Sequence, residues 1–119
     1  LEYMNYLGHN EFGLEHKPWN EPLNYKNPLT INYWIEQWYF FYKFLFDQYQ
    51  NNNSIFFISY EKLCNDDLFC KKLLRKLDID NEIDFKFKKN DKEIREDYDQ
   101  ILFEKSQNLY QSISKLNFN

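Results

Sequence analysis

The sequence predicts a segment of an α/β domain that is mostly α-helical and has one buried strand at about residues 54–59. Three observations lead there. Residues 54–59 (SIFFIS) are a short apolar run of aromatic and isoleucine side chains, with three asparagines before it and charges after it. That is the pattern of a strand buried in a mostly parallel sheet. On either side, residues 29–50 and residues from about 91 onward carry apolar side chains every three or four positions, the helical period. Finally, one strand cannot make a sheet, because its backbone N–H and C=O groups need neighbouring strands. The 119 residues are therefore expected to be the C-terminal part of a single domain, residues 1–119, with its partner strands elsewhere.

Composition narrows the function. Hydrophobic residues make up 43% and charged residues 29%, a globular balance. The net charge of -4 argues against a nucleic-acid module, whose affinity rests on basic side chains. The aromatic share of 21% is too high for a disordered tail. The chain has no Ala and no Val, and its Asn, Lys, Ile, Phe and Tyr vocabulary is that of an AT-rich genome. No run reaches the roughly 18 apolar residues of a membrane span; the longest aromatic run, Trp38 to Phe46, is broken by Lys43. The N-terminus lacks a signal-peptide pattern, and with Leu1 first and Met4 the first methionine the chain reads as processed or cut from something longer. Cys64 and Cys70 are too few for a disulfide framework, so they read as reduced thiols in a cytoplasmic protein.

Taken in order, Leu1, Met4 and Leu7 keep helical spacing and Gly8 closes the run, as at the end of a helix begun upstream. Residues 8–28 hold both glycines, both histidines and all three prolines, and read as a long loop. Asn27-Pro28 is a helix start, followed by a helix to about Gln50 that is apolar on nearly every face. After the strand, Asn65 or Asp66 can cap a helix whose inner stripe is Leu68, Phe69, Leu73, Leu74 and Leu77. Residues 78–90 form a connector. Asp91 caps a last helix of about 25 residues, with Ile94, Tyr98, Ile101, Leu102, Leu109, Ile113 and Leu116 at helical spacing.

Most catalytic motifs are missing. Two glycines cannot supply a phosphate loop, and there is no CxxC pair, HExxH or nucleophile elbow. No catalytic residue and no metal ligand set is assigned. His9 and His16, in GHNEFGLEHKP, can serve either as locally bonded loop side chains or as substrate contacts, and their spacing matches no standard metal pattern. The aromatic stripe of residues 29–50 suits core packing or a pocket wall. Lys86, Lys88 and Lys89 suit a solvated connector or a phosphate contact.

One phrase is more telling. Ile58-Ser59-Tyr60-Glu61-Lys62-Leu63 follows the expected strand and precedes a capped helix, the place where ligands bind in α/β sheets. Strand, then Tyr-Glu-x-Leu, then a leucine-rich helix ending Leu73-Leu74-Arg75-Lys76-Leu77-Asp78-Ile79, resembles the second half of the sulfotransferases that use 3′-phosphoadenosine 5′-phosphosulfate (PAPS). The Trp-rich stretch Asn32-Tyr33-Trp34-Ile35-Glu36-Gln37-Trp38 and the closing Leu109-Tyr110-Gln111-Ser112-Ile113 fit the same pattern. The loop GHNEFGLEHKP looks like bacterial members. The resemblance spans nearly all of the chain.

It implies a fold related to P-loop kinases and transfer of a sulfuryl group from PAPS to a hydroxyl or amine of a small-molecule or carbohydrate acceptor. The family's phosphosulfate loop and catalytic base lie upstream of these residues, so the segment alone is expected to be inactive. The family's adenine-side tyrosine falls on Tyr60, with Glu61 at the adjoining acidic position. Lys88 and Lys89 stand as a loose substitute for the late Arg-Lys-Gly cofactor motif, which this chain lacks. His9 and His16 are the expected substrate contacts. The competing expectation is a small α-rich interaction module that binds a partner through exposed aromatics.

Overall fold

A computed structural model of the chain describes residues 14–18, 24–79, 87–90, 92–93 and 95–116. Within them lie four helices: α1 (Ile31–Tyr49), α2 (Tyr60–Asn65), α3 (Asp67–Lys76) and α4 (Gln100–Ser114). Helices α1 and α4 pack on each other, and the short α2 turns directly into α3. None of these helices is long and apolar enough to cross a membrane.

The expected α/β architecture is corrected here: among the described residues there is no strand and no sheet. Residues 55–59 run without regular secondary structure and lie against the helices instead of pairing with a neighbour. Phe57 and Ser59 are buried, whereas Ile58 between them is 41% exposed. The run is apolar because one side of it joins the helical core, not because a sheet covers both of its faces. Phe57 forms that core with Leu109 and Ile113 of α4, flanked by Trp38, Tyr42, Leu45 and Phe46 of α1.

Helix boundaries follow local capping. Helix α1 starts three residues later than the Asn27-Pro28 signal suggests. Asn27 and Pro28 build a turn, in which the Thr30 amide donates to the Asn27 carbonyl. The Thr30 hydroxyl then caps the helix by accepting from the Tyr33 amide. Asp66 caps α3, as the sequence predicts, by accepting from Phe69 N–H at 3.0 Å. Phe69, Leu73 and Leu74 are buried, but Leu68 of the expected inner stripe is 73% exposed. The end of α3 is a Schellman motif, with Ile79 N–H on the Leu74 carbonyl and Asp78 N–H on that of Arg75. Asp78 sits between them at φ 56°, a left-handed conformation that short polar side chains tolerate.

The last helix is shorter than expected. It begins at Gln100, with Asp99 as its cap. Tyr98 precedes the helix, and the proposed cap Asp91 and Ile94 lie outside the described residues. The end of a helix at residues 1–7 also lies outside them.

The loop before α1 is tied down by a buried carboxylate. Glu36, 1% exposed, accepts from the Asn24 amide (3.1 and 3.2 Å) and the Tyr25 amide (3.3 Å). A buried charge is tolerated where hydrogen-bond donors converge on it in this way.

Candidate functional site

A cleft of about 550 Å³ opens where residues 56–61 cross the α1–α4 pair. Trp38 and Tyr42 of α1 make one wall, Tyr110 and Ile113 of α4 another, and the start of α2 its polar edge. Such a volume suits a small ligand. Trp38 and Tyr110 also border a second, apolar groove of about 360 Å³ along the α1–α4 seam, with Ile31, Trp34, Ile35 and Phe103. The two hollows share walls.

Local sequence explains the polar edge. Ser59 ends the extended run and caps α2, its Oγ accepting from Lys62 N–H at 3.3 Å. Glu61 falls in the first helical turn, where negative charge is favoured. The Ser59 hydroxyl donates to Glu61 Oε2 at 3.0 Å, and the Tyr110 hydroxyl donates to the same oxygen at 2.8 Å. Ser59 Oγ and Tyr110 Oη are themselves 2.9 Å apart. The bond from Tyr110 comes first in holding the Glu61 carboxyl below the usual range, followed by its own backbone amide and then Ser59, while burial opposes them. Glu61 is therefore a carboxylate at neutral pH.

Tyr60, the first residue of α2, is 50% exposed on the rim. Its hydroxyl donates to the Lys88 carbonyl at 3.0 Å and its ring meets Phe87 edge-on at 5.9 Å. Burial, and then Cys64 beside it, raise its pKa. Residues 28 positions apart in the chain are thus adjacent, and Lys88 and Lys89 both stand exposed beside this rim.

His16 does not join this site. His9 lies outside the described residues. His16 sits near the first turns of α1, its Nδ1 2.5 Å from the Tyr33 hydroxyl and its ring 4.9 Å from that of Trp34. Burial lowers its pKa. Among the described residues no group of His, Cys, Asp or Glu could hold a metal ion, and Cys64 and Cys70 are free thiols.

Sequence reasoning placed Tyr60 and Glu61 together but missed Ser59, Tyr110, Trp38 and Tyr42 as parts of one site. A signal was present for Tyr110: it stands four residues after Ser106 and three before Ile113, both buried, and a half-buried tyrosine needs a partner for its hydroxyl. The chain matches no known family model, no curated protein and no solved structure.

Proposed function

We propose that this chain supplies the adenine-side wall and part of the acceptor pocket of a PAPS-dependent sulfotransferase, moving a sulfuryl group to a hydroxyl or amine. The carrying observation is the position of Tyr60: a half-exposed ring on the rim of the cleft, beside exposed Lys88 and Lys89, next to Glu61 at the start of α2. A phenol there offers a flat face to a purine, and two cations nearby suit its phosphates. The ordered resemblance of the Trp-rich helix, Tyr-Glu-x-Leu and the closing helix supports the same reading. In-line displacement at sulfur also needs groups on the leaving phosphate and a base on the acceptor, and these 119 residues contain no glycine-rich loop for the former.

The test is a titration of the chain with adenosine 3′,5′-bisphosphate, followed by NMR. Tyr60, Phe87 and Lys88 signals should shift saturably, and Tyr60→Ala should abolish the shift while Tyr60→Phe weakens it modestly. Unshifted signals, or an unaltered response in a folded Tyr60→Ala chain, would remove the assignment. With PAPS and no other protein, no turnover is expected. The gene sequence ahead of residue 1 is the second check. A strand, a Gly- and Ser/Thr-containing phosphate loop and a helix there sustain the enzyme, whereas a start at Met4 favours the interaction module. That second reading has its own support in the open apolar groove lined by Ile31, Trp34, Ile35 and Phe103.

A further inference from the structure

We propose that the cleft between α1, α2 and α4 binds an organic ammonium group, with Glu61 as its counter-charge and Trp38 and Tyr42 as its aromatic wall. The inference goes beyond sulfuryl transfer and does not depend on it.

Three features converge. First, Glu61 is an exposed carboxylate on the lining of a cleft, and among the described residues no lysine or arginine forms an ion pair with it. Its neighbour Lys62 has its ammonium over the Phe69 ring at 5.6 Å instead. A carboxylate on a cleft wall attracts a cation.

Second, the Ser59–Glu61–Tyr110 triangle is rich in acceptors and short of protons. It has three oxygen–oxygen contacts of 2.8 to 3.0 Å, but only two hydroxyl protons to fill them. Whichever way the protons lie, lone pairs remain for an incoming donor. An ammonium brings up to three N–H donors and no acceptor.

Third, two aromatic side chains of α1, Trp38 and Tyr42, line the same cleft. The two rings are stacked, their π-faces tilted by 34° with 4.7 Å between centroids. Cations are attracted to such faces, most strongly to tryptophan. Beyond Trp38 the apolar groove continues along Trp34, Ile35 and Phe103, with room for the body that carries the ammonium. The ligand class is therefore an amine on an aromatic or aliphatic body.

The experiment uses the whole chain, with 3-phenylpropylammonium as probe and 3-phenylpropan-1-ol as its uncharged match. Calorimetry should show the ammonium binding about tenfold more tightly than the alcohol, a preference of the size expected for a partly desolvated cation among aromatics. Added salt should narrow the gap. Glu61→Gln should erase the preference, and Trp38→Leu should weaken the ammonium. Should Glu61→Gln fail to fold, the Glu61 side-chain carboxyl carbon signal of the wild-type chain provides the readout. It should move with the ammonium and stay still with the alcohol. Equal affinity for the two probes, no binding of the ammonium, or a preference that survives Glu61→Gln would each overturn the proposal. Adenosine 3′,5′-bisphosphate is the separate probe of the sulfotransferase reading. Its failure to bind, with the ammonium bound, would remove that reading and leave this one standing.

Discussion

The Tyr25 hydroxyl donates to Asp99 Oδ2 at 2.6 Å, joining positions 74 residues apart. The same carboxylate caps α4 through Oδ1, accepting from Leu102 N–H at 2.9 Å, and the Asp99 amide donates to Asn32 Oδ1 at 2.7 Å. The loop before α1, the first turn of α1 and the start of α4 are thus tied at one residue. The bond from Tyr25 is the main reason that the Asp99 carboxyl titrates below its ordinary value, and Asp99 in turn pushes the Tyr25 phenol up.

Asp99→Ala should therefore cost more than an ordinary surface change. Thermal unfolding followed by circular dichroism should give a midpoint several degrees below wild type. Tyr25→Phe should lie between the two, because it leaves the cap intact. Asp99→Asn should also lie between them, since asparagine caps well. An Asp99→Ala chain with the wild-type midpoint would show that this tie contributes nothing.

Glu36 should be the most sensitive polar position. Glu36→Ala strands the Asn24 and Tyr25 amides, and charge-assisted bonds of this kind make the loss on the order of 3 kcal/mol. Glu36→Gln retains one acceptor oxygen and should cost less. Urea unfolding at neutral pH measures both, and equal midpoints for Glu36→Ala and wild type would count against the anchoring role.

His16 makes the chain acid-sensitive in a defined window. Its folded pKa lies below 6.5, so the unfolded chain binds the extra proton first as pH falls. The stability it contributes is fully present above 6.5 and is lost as pH drops from there through the folded value. Urea midpoints should decline between pH 7.5 and 5.5, and His16→Phe should flatten that decline. A parallel decline in the variant would assign the effect to other groups.

The extended segment should show two faces. Phe57→Ala removes a core ring and should cost about 3–5 kcal/mol, whereas Ile58→Ala, at a position 41% exposed, should cost under about 1 kcal/mol. Comparable losses at both positions would mean that residues 55–59 are covered on both sides after all.

What the sequence reveals depends on how local the cause is. The Asp66 cap and the inner residues Phe69, Leu73 and Leu74 were legible, because capping and helical period act within a few residues. The strand at 54–59 was misread because a buried apolar run looks alike whether a sheet or a helix pair covers it. The start of α4 was misplaced because Asp91 and Asp99 are equally good caps locally. Asp99 has its amide on Asn32 and its carboxylate on Tyr25, partners found far away in the chain. In the cleft, Tyr60 and Glu61 are neighbours in sequence and were found together. Tyr110 lies 49 residues from Glu61, and only the packing of α4 against α1 brings it there.

The pairing of α1 with α4 also sets a kinetic order. Residues 50–99 separate the two helices, so their interface forms only after a loop of about fifty residues has closed. Loop closure has to be met before any contact compensates for it, and its entropy grows with the logarithm of loop length. The α2–α3 corner needs no such search, because Asp66 ends one helix and caps the next. That corner therefore forms on the timescale of local helix growth, with the α1–α4 core and its cleft assembling later. The cleft therefore exists only after that corner and, because it depends on the longer closure of the two, is lost before it when the fold loosens.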